Sequence, residues 1–526
     1  MKLKLIPVIA ILGISAVSCF QSQPQTIIIT ATFAPAGDTE LPVTVPVVQI
    51  APDVLSLSPV PDTPLVIPTP DPTRPVSDLP VSGEYEVLPG DTLSGIAAAN
   101  GVTLEALLAL NTLENPNILA VGQVLRLPAP PDTYTPDFKI LSDNKFVRGP
   151  GGAAFDIAGF IAQQPGYIRA ASDEIDSIVF SSAEVVQRAS LEYSLDARML
   201  LTLLEVKAGW LSRSELSDIA RDYPLEGQEP PPGFDRKGLY KQLAWAANRL
   251  NSGYYGWKYD DLRIVEFDLG IRQLYAPGLN AATVGLQYFL SLNNSYANWQ
   301  GQVSAEGFYR TYYAYFGDPF SGIVEPLVSP GIVQPEMIFP FQAGETWFFT
   351  GGPHGGWGSG SAWAALDFAP PDEVEPGSSS CYVSEHWVTA VSPGIIARSG
   401  GGSVILDLDG DGDETTGWTV LYLHIATEDR IQVGTQVQVG DLIGHPSCEG
   451  GFSNATHLHI ARRYNGEWIP VSCGMCAPEH VRPPFVMSGW TSIGLEGQEY
   501  QGYMIQGNER RVAEQGRLTT ENRVSW

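Results

Sequence analysis

Thr456-His457-Leu458-His459-Ile460 lies inside an apolar-alternating run in the C-terminal third of the chain. In a β-strand, residues i and i+2 point to the same face. The alternation predicts a strand that aims His457 and His459 into one groove, with Leu458 and Ile460 facing the other way. Imidazole is the commonest side-chain ligand for zinc, and two on one strand face make half of a metal site. A bare His-x-His also occurs on the polar face of ordinary strands, so its meaning depends on what else the chain supplies. All seven histidines fall in this one region: His354, His386, His424, His445, His457, His459 and His480.

Outward from the pair, short strand-like runs alternate with Gly-rich turns from about residue 336. Val404-Ile405-Leu406, Thr419 to Ile425 and Leu458 to Tyr464 read as strands, and Tyr464-Asn465-Gly466-Glu467-Trp468 as a hairpin. An antiparallel all-β domain over 336–490 is the expected frame. Three segments fit one role within it. Gly351-Gly352-Pro353-His354 puts a histidine in a loop. Trp363-Ala364-Ala365-Leu366-Asp367-Phe368 places one carboxylate in an apolar strand, where an unpaired charge is costly. Leu421-Tyr422-Leu423-His424 ends a strand on a histidine. Two imidazoles, one carboxylate and an open water position are what a tetrahedral catalytic zinc needs.

Taken in order, Gly-Gly-Pro-His354, Leu-Asp367-Phe, Tyr-Leu-His424 and His457-x-His459 resemble the motifs of the lysostaphin-type zinc endopeptidases of bacterial cell walls. Most of that family has His-x-x-x-Asp, whereas Trp363 stands four residues before Asp367 here. The thirteen-residue step from His354 to Asp367 is similar to the β-lytic and staphylolysin branch. The resemblance implies His354, Asp367 and His459 as zinc ligands. It implies that His457 and His424 activate the water and stabilise the developing oxyanion. Family substrates are peptide cross-links of peptidoglycan, often at glycine bonds. No His-Glu-x-x-His stretch occurs, which excludes the thermolysin type with its Glu base.

The same region carries two further features. Asp407, Asp409, Asp411 and Asp413 alternate as in a calcium loop, though the twelfth position is Trp418 rather than a bidentate Glu. Calcium is one reading and an acidic hairpin tip the other. Cys381, Cys448, Cys473 and Cys476 allow three disulfide pairings. Cys473 and Cys476 beside His480 also fit a second zinc, but an exported chain favours disulfides. Cys448, shortly before the histidine pair, is placed to staple that loop to another cysteine.

Export is expected from residues 1–19, with Lys2 and Lys4, an apolar Leu5 to Val17, and small residues before Cys19. Ala16-Val17-Ser18-Cys19 resembles a bacterial lipobox with Cys19 as the lipidated residue; an ordinary cleaved signal is the alternative. The chain has 526 residues, enough for several domains, and 30 basic against 58 acidic residues give a net charge of −28. That balance argues against nucleic acid or an anionic membrane surface as the main partner, leaving the membrane to be reached through a lipid anchor only. Residues 20–82 are rich in Pro, Thr and Val and read as an extended stalk, about 3 Å per residue where polyproline II holds.

Residues 83–130 change character. A strand at Tyr85-Glu86-Val87, helical periods at Leu93 to Ala97 and Leu104 to Leu108, and a strand at Val124 to Leu127 give a βααβ order. Gly90-Asp91-Thr92-Leu93, Asn111 to Pro116 and Gly122 to Pro128 resemble a LysM module nearly position for position. The resemblance implies binding to glycans that contain N-acetylglucosamine, mainly peptidoglycan or chitin.

Residues 145–328 are mainly helical in pattern, clearest from Asp196 to Gly209. Aromatics at helical spacing, from Tyr240 to Tyr313, read as core. Ala208-Gly209-Trp210 faintly resembles the first helix of lysozyme-like lytic transglycosylases. The general-acid position there is Lys207, and Glu205 stands over half a helical turn away, so a glycosidase is not expected. Residues 491–526 read as a polar C-terminal tail without chemistry.

Together these features predict a multidomain envelope enzyme: signal, stalk, LysM module, helical domain and zinc endopeptidase. It would face the outside of the cytoplasmic membrane as a lipoprotein, or be secreted, with peptidoglycan glycan and stems as partner. The rival is a non-catalytic wall-binding protein that scaffolds or activates other hydrolases.

Overall fold

The computed structural model describes residues 84–526 apart from 89–90, 100–103, 112, 114, 116–117, 128–132, 176, 268–270, 374–376, 475, 477 and 518. The signal, Cys19 and the stalk lie outside the described residues, as do Gly90, Pro116 and Pro128 of the LysM-like motifs.

The first unit runs β1 (Glu84–Glu86), α1 (Leu93–Ala99), α2 (Leu104–Leu110) and β2 (Val124–Arg126), with the two strands antiparallel and Tyr85 opposite Leu125. Its small core holds Leu93, Ile96, Leu107 and Leu125. Thr92 Oγ1 accepts the Gly95 N–H at 3.0 Å and caps α1. The Asn111 side chain ties the end of α2 to β2, donating to the Leu107 and Arg126 carbonyls and accepting the Arg126 N–H, each at 2.8 Å.

The second unit contains α3 (Asp143–Phe146), α4 (Ile157–Ala162), the hairpin β3 (Ser172–Ile175) and β4 (Ile178–Ser181), α5 (Ser182–Tyr193), α6 (Ala197–Ala208) and α7 (Asp218–Asp222). It continues with α8 (Leu239–Tyr259), the hairpin β5 (Ile264–Glu266) and β6 (Arg272–Leu274), α9 (Ala281–Ser291), α10 (Tyr296–Gln302) and α11 (Arg310–Phe316). Asp196 caps α6 by accepting the Arg198 N–H, and Gly209 at φ 71° stops it in the left-handed conformation that favours glycine. Glu205 accepts the backbone N–H of Leu211 and Ser212 at 2.8 and 3.1 Å, closing the turn that follows. The aromatics Tyr254, Tyr255, Trp257, Phe308 and Tyr309 are buried core.

The third unit is an antiparallel sheet. Its strands are β7 (Thr346–His354), β8 (Ala365–Ala369), β9 (Val388–Thr389), β10 (Gly394–Gly400), β11 (Ser403–Asp407), β12 (Trp418–Leu423), β13 (Gln436–Val437), β14 (Leu442–Gly444), β15 (Leu458–Tyr464) and β16 (Glu467–Trp468). β17 (Val486–Met487), β18 (Trp490–Leu495), β19 (Gln498–Gln506), β20 (Glu509–Val512) and β21 (Arg523–Ser525) follow. The main sheet has the order β13-β10-β11-β12-β15-β8-β7-β21, with β16 paired to β15.

Two expectations are corrected here. Gly351 to His354 is the end of β7 rather than a loop; the strand survives the Gly-Gly-Pro run because its pairing with β8 shifts register on either side of Gly351. Residues 491–526 are not a loose tail: β18 to β20 form a four-stranded sheet with β17, and β21 closes the edge beside β7. The strands escape notice in sequence because their outward residues are polar.

Side-chain alternation sorts the main sheet into two faces. Leu366, Phe368, Val404, Leu406, Val420, Tyr422, Leu458 and Ile460 pack on one side. Ile405, Leu421, Ala461 and Ala365, side by side across four strands, join the core of the helical unit on the other. The next row on that helix-facing side is Ser403, Leu423, His459, Asp367 and Gly351. The histidine groove therefore lies where the helical cover of the sheet ends.

Two buried charge clusters bridge the units. Glu467 receives Lys258 Nζ at 2.7 Å and the hydroxyls of Tyr254 and Tyr259 at 2.9 and 2.5 Å. Glu414 pairs with Arg148, Arg398 and Arg463 at 3.1, 3.1 and 2.9 Å. Burial works to raise the Glu467 carboxyl, but Lys258 and Arg482 more than reverse this and hold it at about 2. Removing one partner of such a buried pair costs about 3–5 kcal/mol, because the other charge stays behind. Glu467→Gln should therefore lower the melting temperature at neutral pH. A depressed carboxylate stabilises fully above its unfolded value and loses that contribution as pH falls through its folded value. The gap in melting temperature between wild type and variant should shrink as the pH is taken from about 5 toward about 2 in a calorimetric series.

Candidate metal centre

Three elements bring the donors together. Asp367 lies on β8 directly opposite His459 on β15, and β7 delivers His354 from the other side of β8. His354 Nε2 lies 3.0 Å from His459 Nδ1 and 3.2 Å from Asp367 Oδ1, and His459 Nδ1 lies 3.3 Å from the same oxygen. Ligands about 2.0–2.1 Å from a tetrahedral zinc sit about 3.3–3.4 Å from one another. All three side chains are buried, and Asp367 Oδ1 has no hydrogen-bond donor.

The outward nitrogens fix the tautomers, since a carbonyl can only accept. His354 Nδ1–H donates to the Gly352 carbonyl at 2.8 Å, and His459 Nε2–H to the Gly356 carbonyl at 3.0 Å. In their neutral forms both imidazoles turn lone pairs inward, toward each other and toward a carboxylate oxygen. Such a set requires a proton or a cation at its centre. Burial works to lower His354, but the Asp367 carboxylate outweighs it and the imidazole is raised overall. Burial likewise works to raise Asp367, yet His354 and His457 hold its carboxyl well below the usual range. The donor set, its spacing and the orphaned oxygen fit zinc.

His424 and His457 flank the trio. Their ring centroids are 4.5 Å apart, and His457 Nε2 is 3.6 Å from Asp367 Oδ1. His457 Nδ1–H donates to the Ala455 carbonyl at 2.7 Å, and His424 Nδ1–H to the Glu449 carbonyl at 3.1 Å. In its neutral form each ring presents a bare Nε2. Burial, with His457 and His459 nearby, pushes His424 well below the ordinary histidine value, so it is neutral. Its φ of 66° is one that non-glycine residues avoid.

A cleft of about 660 Å³ opens onto these residues. Its walls include side chains that sequence reading missed: Tyr193 and Tyr240 of the helical unit, Trp357, and Glu499, Tyr500 and Arg517 from 491–526. Tyr500 stacks on His354 with centroids 4.3 Å apart. A signal existed in the Glu496-Gly497 turn between two strand-like runs. Tyr193 and Tyr240 belong to another unit, so no local pattern pointed to them.

The structure gathers three of the four candidate calcium carboxylates: oxygens of Asp407, Asp409 and Asp411 lie within 4.8 Å of one another. Asp413 Oδ1 is taken by the Thr415 N–H and hydroxyl at 2.9 and 2.7 Å. Burial and a hydrogen bond with Asp409 raise Asp407 to about 6. Of the three cysteine pairings, the structure has Cys381–Cys448 and Cys473–Cys476, so the latter two are joined to each other rather than acting as thiolate ligands beside His480.

Two family models match the chain: the LasA N-terminal domain over residues 139–328 and the LysM domain over 85–128. Two Bacillus subtilis (strain 168) proteins are similar over short segments. N-acetylmuramoyl-L-alanine amidase XlyB is 47% identical over 47 residues, 9% of this chain and 15% of that protein. The corresponding amidase XlyA is 45% identical over 62 residues, 12% and 21% respectively. The chain thus spans under a quarter of the length of either relative. Among solved structures, the deep-sea M23 metalloprotease pseudoalterin aligns with 34% of this chain and 96% of its own, at 21% identity and a TM-score of 0.26. The catalytic domain of lysostaphin from Staphylococcus simulans aligns with 24% of this chain and 88% of its own, at 25% identity and a TM-score of 0.17. The chain thus carries a LysM domain at residues 85–128, followed by a segment that matches the LasA N-terminal domain.

Asp367→Ala should abolish metal binding, read as zinc per chain by elemental analysis. A Cβ on Gly351 would lie 2.4 Å from Asp367 Oδ2, pushing the carboxylate aside. Gly351→Ala should weaken zinc affinity about 10–100-fold in a chelator competition, the loss usual when the surroundings of a ligand are disturbed.

Proposed function

We propose that this protein is a zinc-dependent endopeptidase of peptidoglycan peptide cross-links, anchored at the cell surface through Cys19 and held to the wall by its LysM domain. The observation that carries the reading is the His354–Asp367–His459 trio, spaced 3.0–3.3 Å apart with an orphaned carboxylate oxygen at the base of a cleft. The LysM match and the two amidase relatives, named for a linkage to N-acetylmuramic acid, support the wall as substrate. No helix among the described residues is long and apolar enough to cross a membrane.

Zinc held by His354, Asp367 and His459 would lower the pKa of a bound water toward neutrality and polarise a scissile carbonyl. His457 takes the proton of the attacking water on its bare Nε2. His424 presents a second bare Nε2 beside His457, so it takes up the proton that His457 has accepted from the water and donates it to the leaving amine as the C–N bond breaks. The tautomers therefore support a pair that first accepts and then donates. The carbonyls of Gly352 and Gly356 hold the ligand imidazoles in register for this. Calcium at the 407–413 loop belongs to the same reading, as a brace for the hairpin away from the chemistry.

The test is hydrolysis of a glycine-containing wall peptide by the zinc-loaded protein, followed by mass spectrometry of the products. Activity should vanish with a chelator and return with zinc. His457→Ala should keep about one zinc per chain and lose about 10²–10⁴-fold in turnover, the range of a proton-transfer group. Zinc-loaded, folded protein that releases no product from whole peptidoglycan would sink the enzyme reading and leave a wall-binding protein.

A further inference from the structure

Of the four histidines that line the cleft, the two that do not join the metal trio, His424 and His457, are both held by one loop, residues 446–457. His424 is gripped by both neighbours of Cys448. The Ser447 N–H donates to the His424 carbonyl at 2.7 Å, and the Glu449 carbonyl receives His424 Nδ1–H at 3.1 Å. His457 is held by the same loop: its Nδ1 donates to the Ala455 carbonyl at 2.7 Å, and its ring lies 3.4 Å from Ser453 Oγ, which in turn lies 3.5 Å from Cys448 Sγ.

Within the loop the His457 N–H meets the Ser447 carbonyl at 3.4 Å, and the Ser453 hydroxyl donates to the Ala455 carbonyl at 2.8 Å. Gly450 and Gly451 follow in sequence with φ of 72° and 61°, and no named strand lies between β14 and β15. Thr427 holds the Glu449 carboxylate through its N–H and hydroxyl at 3.0 and 2.7 Å, and Arg517 reaches the Thr456 carbonyl at 3.2 Å, but the covalent tie comes from residues 380–384. The Cys381–Cys448 disulfide joins the two segments, the Thr456 N–H donates to the Ser380 carbonyl at 2.8 Å, and the Ser384 N–H donates to the Pro446 carbonyl at 2.9 Å. A left-handed non-glycine residue such as His424 persists only where its surroundings over-determine it. The metal trio is independent of this device, since Asp367 and His459 sit in paired strands and the outward nitrogens of His354 and His459 bond to the carbonyls of Gly352 and Gly356.

We propose that the Cys381–Cys448 bridge is a positioning device for His424 and His457, one that sets turnover without setting metal binding. Its kinetic consequence rests on the peptidase reading above; its structural consequence does not. A misplacement of about 1 Å in a reacting group costs about 10²-fold in rate.

The test compares full-length, zinc-loaded wild type with Cys381→Ser/Cys448→Ser and, as control, Cys473→Ser/Cys476→Ser. We expect the first variant to keep about one zinc per chain and a KM within about twofold of wild type. Its kcat on a glycine oligopeptide should fall about 10²-fold, while the control keeps its kcat. With ¹⁵N-histidine labelling, His424 and His457 should lose their fixed Nδ1–H tautomers in that variant, whereas His354 and His459 keep theirs. If the variant does not fold, reducing the folded control, which retains only the Cys381–Cys448 bridge, reads the same quantities. Unchanged kcat and tautomers with only a lower melting temperature would overturn the proposal, as would loss of zinc or global unfolding on reduction. Should wild type bind zinc but cleave nothing, the tautomers still decide the positioning role while the peptidase reading falls.

Discussion

The register that sets Asp367 of β8 opposite His459 of β15 is the constraint from which the site follows. A slip of one residue would turn both side chains to the far face of the sheet and replace them with Leu366 or Phe368 and Leu458 or Ile460. The apolar residues on either side of the ligands enforce the register, because they fill the opposite core. Gly351 then lets the carboxylate lean across β7 toward His354. The His354–Asp367–His459 grouping is thus a by-product of a well-specified sheet, and its geometry is as secure as the packing beneath it.

The same face of the sheet is where the helical unit rests. Ala365 and Ala461 are small enough for helices to approach, and Leu421 and Ile405 complete a row that belongs to a core shared by both units. The two buried carboxylates Glu414 and Glu467 sit among cations supplied from both sides. Buried ion pairs contribute specificity of docking more than net stability, since desolvation offsets much of their attraction. Here they fix which helices lie over the sheet and bring Tyr193 and Tyr240 to the wall of the cleft.

Much of the site was legible in sequence because its signals are local. The period of two in Leu458 and Ile460 fixed the aim of His457 and His459, and a lone carboxylate among Ala365, Leu366 and Phe368 had to be paired. Asp196 and Gly209 marked the ends of α6 by their capping chemistry, and Asn111 the end of α2. What stayed hidden depends on distant partners. A register shift turns Gly351 to His354 into strand, which no local propensity reveals. The strands of 491–526 leave one face to solvent, so half their residues are polar. Cysteine spacing left the pairing open, and the walls of the cleft come from segments separated by hundreds of residues.

The edge strand β21, at residues 523–525, completes the sheet beside β7 at 346–354. During synthesis the chain emerges from its N-terminus, so β7 must wait with an unpaired edge while everything between it and β21 is made. Contacts of such long sequence separation form slowly, and open strand edges invite pairing with other chains. The LysM domain, whose contacts span only some forty residues, can form well before that moment. The order in which this protein takes shape is therefore written into its topology: the LysM domain can be folded long before the sheet that holds the histidine groove is closed.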